Sequence, residues 1–95
     1  MEIQHDQHET KGTFFTGESA AKTSEMTYTI QQPSLMVIKH TVVDKSLRGK
    51  NIGMQLINKA IDFATQKNLK IKPDCSFVRS VFEKHPTDYD HIIQK

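Results

Sequence analysis

The chain has 95 residues, a formal net charge of +2 and a single cysteine. One small domain over residues 1–95 with one modest core is expected, and the near balance of charge gives no bulk attraction to nucleic acid or to an acidic membrane surface. Cys75 alone excludes an internal disulfide, and no apolar run approaches the ~20 residues of a membrane-spanning helix. The start MEIQHDQHETK is polar and acidic, unlike a signal peptide. A cytoplasmic monomer is the resulting expectation.

Glu2 to His8 is a weak edge-strand candidate with one large aliphatic residue, Ile3. Thr10-Lys11-Gly12 reads as a turn, and Thr13-Phe14-Phe15-Thr16 as a short strand ended by Gly17. In Ser19–Ile30 the alternation of Met26, Tyr28 and Ile30 marks a half-buried strand. After the turn at Gln32-Pro33-Ser34, Leu35 to Val43 is rich in β-branched residues. It places Met36, Ile38 and Val42 on one face and Leu35, Val37 and Val43 on the other, as for a central strand covered on both sides. Short turns between these strands predict an antiparallel meander.

A polar loop, Asp44 to Lys50, opens into a helix from Asn51 to Gln66, whose apolar stripe is Ile52, Leu56, Ile57, Ala60, Phe63 and Ala64. Asn51 is placed to cap it through its side chain, and Asn68 to stop it. Leu69–Lys72 is a four-residue strand expected to lie parallel to Leu35–Val43 through the helical crossover. Asp74 or Ser76 can cap a second helix, Cys75 to Lys84, with Val78, Val81 and Phe82 buried. After Pro86, Tyr89, Ile92 and Ile93 can dock back. The fold class is α+β: a mainly antiparallel sheet, one parallel strand and two main helices.

A strand, a basic glycine-containing loop and a helix N-terminus make a phosphate cradle, because unpaired amides and the helix dipole converge on an anion. Arg48-Gly49-Lys50-Asn51-Ile52-Gly53 resembles the acetyl-CoA-binding motif of the GNAT superfamily of N-acyltransferases, with Asn51 where the motif has glycine. The pattern of Lys39-His40-Thr41-Val42-Val43, Leu56, Ala60, Ala64, Ile71-Lys72-Pro73-Asp74-Cys75-Ser76-Phe77-Val78 and Lys84-His85-Pro86 is similar to a small single-domain subgroup. The resemblance implies a minimal GNAT fold and transfer of an acyl group from acetyl-CoA to an amine of a small molecule or peptide.

It further implies that Arg48, Gly49, Lys50, Asn51, Ile52, Gly53 and Met54 hold the pyrophosphate of coenzyme A, and that Thr41, Val42 and Val43 line its pantetheine. An amide near Val42 or Val43 would polarise the thioester. His40 is a candidate base for the amine, set against a hydrogen-bonded core histidine. Larger relatives often use a tyrosine where Phe82 stands. Cys75, at a helix start, is the candidate replacement as proton donor or nucleophile, set against plain packing. His5 and His8 are too few for a metal site and read as surface. Two other readings are an acyl-CoA-binding module without catalysis, and a nucleic-acid or nucleotide binder on the same loop.

Overall fold

Alternating side chains build the first half of the molecule. The computed structural model describes residues 3–18, 21–31, 34–45, 49–85 and 87–93. Strands β1 (Gln4–His8), β2 (Lys11–Glu18), β3 (Ala21–Gln31) and β4 (Leu35–Val43) pair antiparallel in sequence order. The registers Phe14↔Met26 and Thr16↔Ser24 place one side chain in two on a common buried face. Thr16 is polar and fully buried there, and its hydroxyl is satisfied by those of Ser24 at 2.7 Å and Thr23 at 2.8 Å. Gly12 lies in β2 rather than in a turn, beneath the Tyr28 ring, where a Cβ would come within 2.2 Å of the phenol oxygen. The reversal falls instead at Glu9, whose φ is 57°.

Helix α1 (Ile52–Gln66) follows β4 and returns the chain to β5 (Lys70–Pro73), which pairs parallel to β4. Leu56, Ile57, Ala60 and Ala64 are fully buried against the sheet. The helix ends as Asn68 predicts. Its φ is 58°, and the amides of Asn68 and Leu69 bond back to the carbonyls of Thr65 and Ala64, which satisfies the last turn. Helix α2 (Ser76–Lys84) then packs Val78, Val81 and Phe82 into the same core as α1. The chain beyond it adds buried Ile92, whose carbonyl accepts from the amide of Ile71 at 2.7 Å along the outer side of β5. Among the described residues, no helix is long and apolar enough to cross a membrane.

Three expectations are corrected. The helices share one core, and β4 is covered on both faces only in its first part, where Val37 is buried on the far side; beyond it Lys39, His40 and Val42 are exposed. Asn51 makes no side-chain cap. Its φ of 61° puts it in the left-handed region rather than the extended one from which a side chain can reach back to the first amides. In α2 the N-cap position is taken by Cys75 itself, between the two residues proposed as caps.

Candidate active site

A bulge decides which residues of β4 face the helices. Thr27 pairs with His40 but Tyr28 pairs with Ile38, so Lys39 is an extra residue in β4. Alternation restarts one step out of phase behind it. Thr41 and Val43 thereby join Met36 and Ile38 on the helix side, while His40 and Val42 turn to the open face. His40 is exposed and does not line the cleft described below, which removes the geometric basis for it as a base there. Val42 is 45% exposed, and the sequence-based assignment of Val42 and Val43 to opposite partners of Met36 is reversed.

The main chain of β4 is open on its β5 side at the same place. Pairing with β5 runs only from Leu35↔Lys70 to Ile38↔Pro73, closed by the Asp74 amide on the Ile38 carbonyl at 3.0 Å. The Asp44 amide bonds the Thr23 carbonyl, so Asp44 and, by alternation, Val42 direct their main-chain groups toward β3. Thr41 and Val43 direct theirs to the other side, where β5 has ended. Their amides, and not that of Val42, face this open edge.

This gap widens into a cleft of about 570 Å³. Thr41 and Val43 form one wall, Gly49 and Asn51–Met54 another, and Phe77, Val81, Lys84 and His85 a third. The first α1 hydrogen bond is from the Gln55 amide to the Asn51 carbonyl, so the amides before Gln55 have no helical partner. No acidic residue stands in the first turn to occupy them. Positive φ at Gly49 (87°) and Asn51 (61°) wraps the loop around this end, so asparagine serves at the motif position that calls for glycine. Gly53 faces Phe77 directly: a Cβ there would lie 2.5 Å from the ring. Lys50 is exposed beside the cleft rather than in its wall, and Arg48 lies outside the described residues.

At the strand end of the cleft, Cys75 Sγ lies 3.3 Å from Thr41 Oγ1. Burial pushes the thiol pKa up, but the Thr41 hydroxyl and the amides of Val78, Phe77 and Thr41 outweigh it, and the net shift is downward. Phe77 and Val78 occupy the second and third helical positions, where orphan amides face a group at the N-cap. Phe82 is buried against Tyr89, ring centroids 5.0 Å apart, and plays no part in the cleft wall. Phe77, Val81, Lys84 and His85 were not identified from the sequence as site residues. Their spacing of four, three and one traces a second stripe on α2 that meets the buried one at Val81, visible only once the buried stripe is known.

Comparisons with known proteins bear on the family and the fold. The family profile described as GCN5-related N-acetyl-transferase matches residues 13–92, and the chain belongs to that family. The solution structure of a GCN5-like protein from Staphylococcus aureus superposes with a TM-score of 0.74 at 29% identity, over 98% of this chain and 87% of that one. A ribosomal-protein-alanine N-acetyltransferase from Brucella melitensis shares the fold, with a TM-score of 0.64 at 18% identity over 82% of this chain and 64% of that one. So does the aminoglycoside N-acetyltransferase AAC(6')-Iy, solved with CoA, with a TM-score of 0.63 at 13% identity over 81% and 67%. No curated protein sequence matches the chain.

Proposed function

We propose that the protein is an acetyl-CoA-dependent N-acetyltransferase acting on an amine of a small molecule or peptide. The observation that carries this is the uncapped α1 N-terminus opening, without any carboxylate, into the cleft that also holds Thr41 and Val43. Four features of this chain fit the coenzyme: orphan amides for a diphosphate, an open strand edge for an amide-bearing chain, a cleft of suitable size, and the Cys75 sulfur, which does not itself line the cleft but is hydrogen-bonded to Thr41 in its wall. Acetyl-CoA would supply the activated acyl thioester.

The residues of the chain have separable tasks. Ile52, Gly53 and Met54 present main-chain N–H groups to the anion, and Gly49 and Asn51 shape the turn that exposes them. The amides of Thr41 and Val43 line the open edge, the first donating to Cys75 Sγ and the second positioned to polarise a carbonyl laid along the edge. Cys75 holds a labile proton at Sγ, and Thr41 together with the α2 amides stabilises the sulfur once that proton has left. With His40 turned away and Phe82 buried, Cys75 is the chain's candidate reactive group in this region. Two roles suit a sulfur held this way, proton donor or nucleophile, and a mass measurement described below separates them.

The test is a titration with coenzyme A followed by amide NMR. Resonances of Gly49, Asn51–Met54, Thr41, Val43 and Cys75 are expected to shift together as one site. A folded protein whose resonances at these positions stay in place would overturn the reading.

A further inference from the structure

The cleft has a second positive position that the tasks above leave unused. On α2, the residues that line it are Phe77, Val81, Lys84 and His85, a continuous stripe along one side of the helix. At 1.5 Å per residue, Lys84 stands about 13 Å along the helix from Cys75. Among the described residues no Asp or Glu lines the cleft. Among the described residues no acidic side chain pairs with the Lys84 ammonium. His85 Nδ1 lies 3.4 Å from the exposed carboxylate of Asp88, and its Nε2 is the ring nitrogen left for a ligand. The diphosphate cradle is built from α1 amides, so these two side chains are in excess of what it needs.

We propose that Lys84 and His85 form a second anion subsite, which takes the phosphate on the ribose of a 3′-phosphorylated adenine nucleotide. The protein thereby selects coenzyme A over its dephosphorylated form. This rests on the coenzyme reading above. The placement argues for the nucleotide rather than the acceptor: the acceptor amine has to reach the Thr41–Cys75 end, whereas Lys84 and His85 mark the far end of the same cleft. A phosphate also needs charge at this location. It lies at the C-terminus of α2, where the helix dipole repels anions, so the Lys84 ammonium has to offset that, with the His85 ring beside it as a hydrogen-bond donor.

The experiment is calorimetric titration of the intact protein with coenzyme A and, separately, with 3′-dephospho-coenzyme A. Wild-type protein is expected to bind coenzyme A about five- to tenfold more tightly, the scale of one or two partly exposed charge-assisted contacts. Lys84→Ala and His85→Ala should each shrink that ratio by weakening coenzyme A alone, and Lys84→Arg should keep it. Adenosine 3′,5′-bisphosphate should displace coenzyme A better than adenosine 5′-monophosphate does. Equal binding of the two coenzyme forms by wild-type protein, or equal weakening of both by the variants, would overturn the subsite and leave the coenzyme reading standing. Failure of both forms to bind would overturn both. Lys84 and His85 are exposed, so the variants should fold.

Discussion

Cys75 Sγ and Thr41 Oγ1 lie 3.3 Å apart although 34 residues separate them in the chain. The contact joins the N-cap of α2 to the stretch of β4 beyond the bulge, so the sulfur sits where the open strand edge and two helix amides meet. In the thiol form the S–H donates to the hydroxyl, and in the thiolate form the hydroxyl donates to sulfur. The second arrangement is the stronger, which favours ionisation. Alkylation by iodoacetamide should therefore reach half its limiting rate at a pH below that of a free thiol, ~8.5. Thr41→Val should move that midpoint upward and Thr41→Ser should hold it. A midpoint unmoved in Thr41→Val would show that the hydroxyl has no part in the effect.

Cys75→Ala separates catalysis from binding. Coenzyme affinity is expected to stay within about twofold of wild type while amine acetylation falls by about a hundredfold or more, the usual scale for losing a proton-transferring or nucleophilic group. If Cys75 carries the acyl group, the intact mass of wild-type protein rises by one acetyl unit on exposure to acetyl-CoA, and the label maps to Cys75. Label on a lysine instead would rule out that role. A wild type that binds the coenzyme but acetylates no amine across a broad panel would favour the acyl-CoA-binding module.

Gly53 carries a different constraint from the one its place in a phosphate loop implies. The space a Cβ would take is filled by the Phe77 ring, at 2.5 Å. Gly53→Ala should push that ring aside at small stability cost, on the order of 1 kcal/mol, because Phe77 is 38% exposed and has room to rotate. Gly53→Glu adds a carboxylate at the orphan amides and should abolish coenzyme binding by calorimetry while circular dichroism remains native. Binding retained in a folded Gly53→Glu would move the anion site away from α1.

His5 ties the exposed strand β1 to the core. Its ring stacks on Phe14 at 4.1 Å, meets Phe63 edge-on at 4.9 Å, and its Nε2 lies 2.6 Å from the Tyr28 hydroxyl. Burial lowers its pKa, and neighbouring Asp6 opposes this only in part. The folded state therefore binds fewer protons at His5 than the unfolded state, for which 6.5 is the ordinary value. Stability should rise with pH through that region and be lost as pH falls below it. The urea midpoint is expected to drop between about pH 7 and pH 5, and His5→Gln should remove part of the slope. An identical slope in His5→Gln would assign the effect to other groups.

Element order, the parallel β4–β5 pair and the α1 stripe were all legible in the sequence, because they follow from local periodicity and turn residues. So was the loop that leads into α1, through its glycine, its basic residues and its place before a helix. Long-range pairing determined the rest. A bulge is set by the register of a partner strand, and a single extra residue, Lys39, exchanges the faces of everything after it: Thr41 enters the site and His40 leaves it. The place of Lys84 and His85 in the cleft wall likewise depends on which side of α2 the sheet has claimed. Periodicity within a segment determines its shape, but only the packing of segments against one another determines which of its side chains meet a ligand.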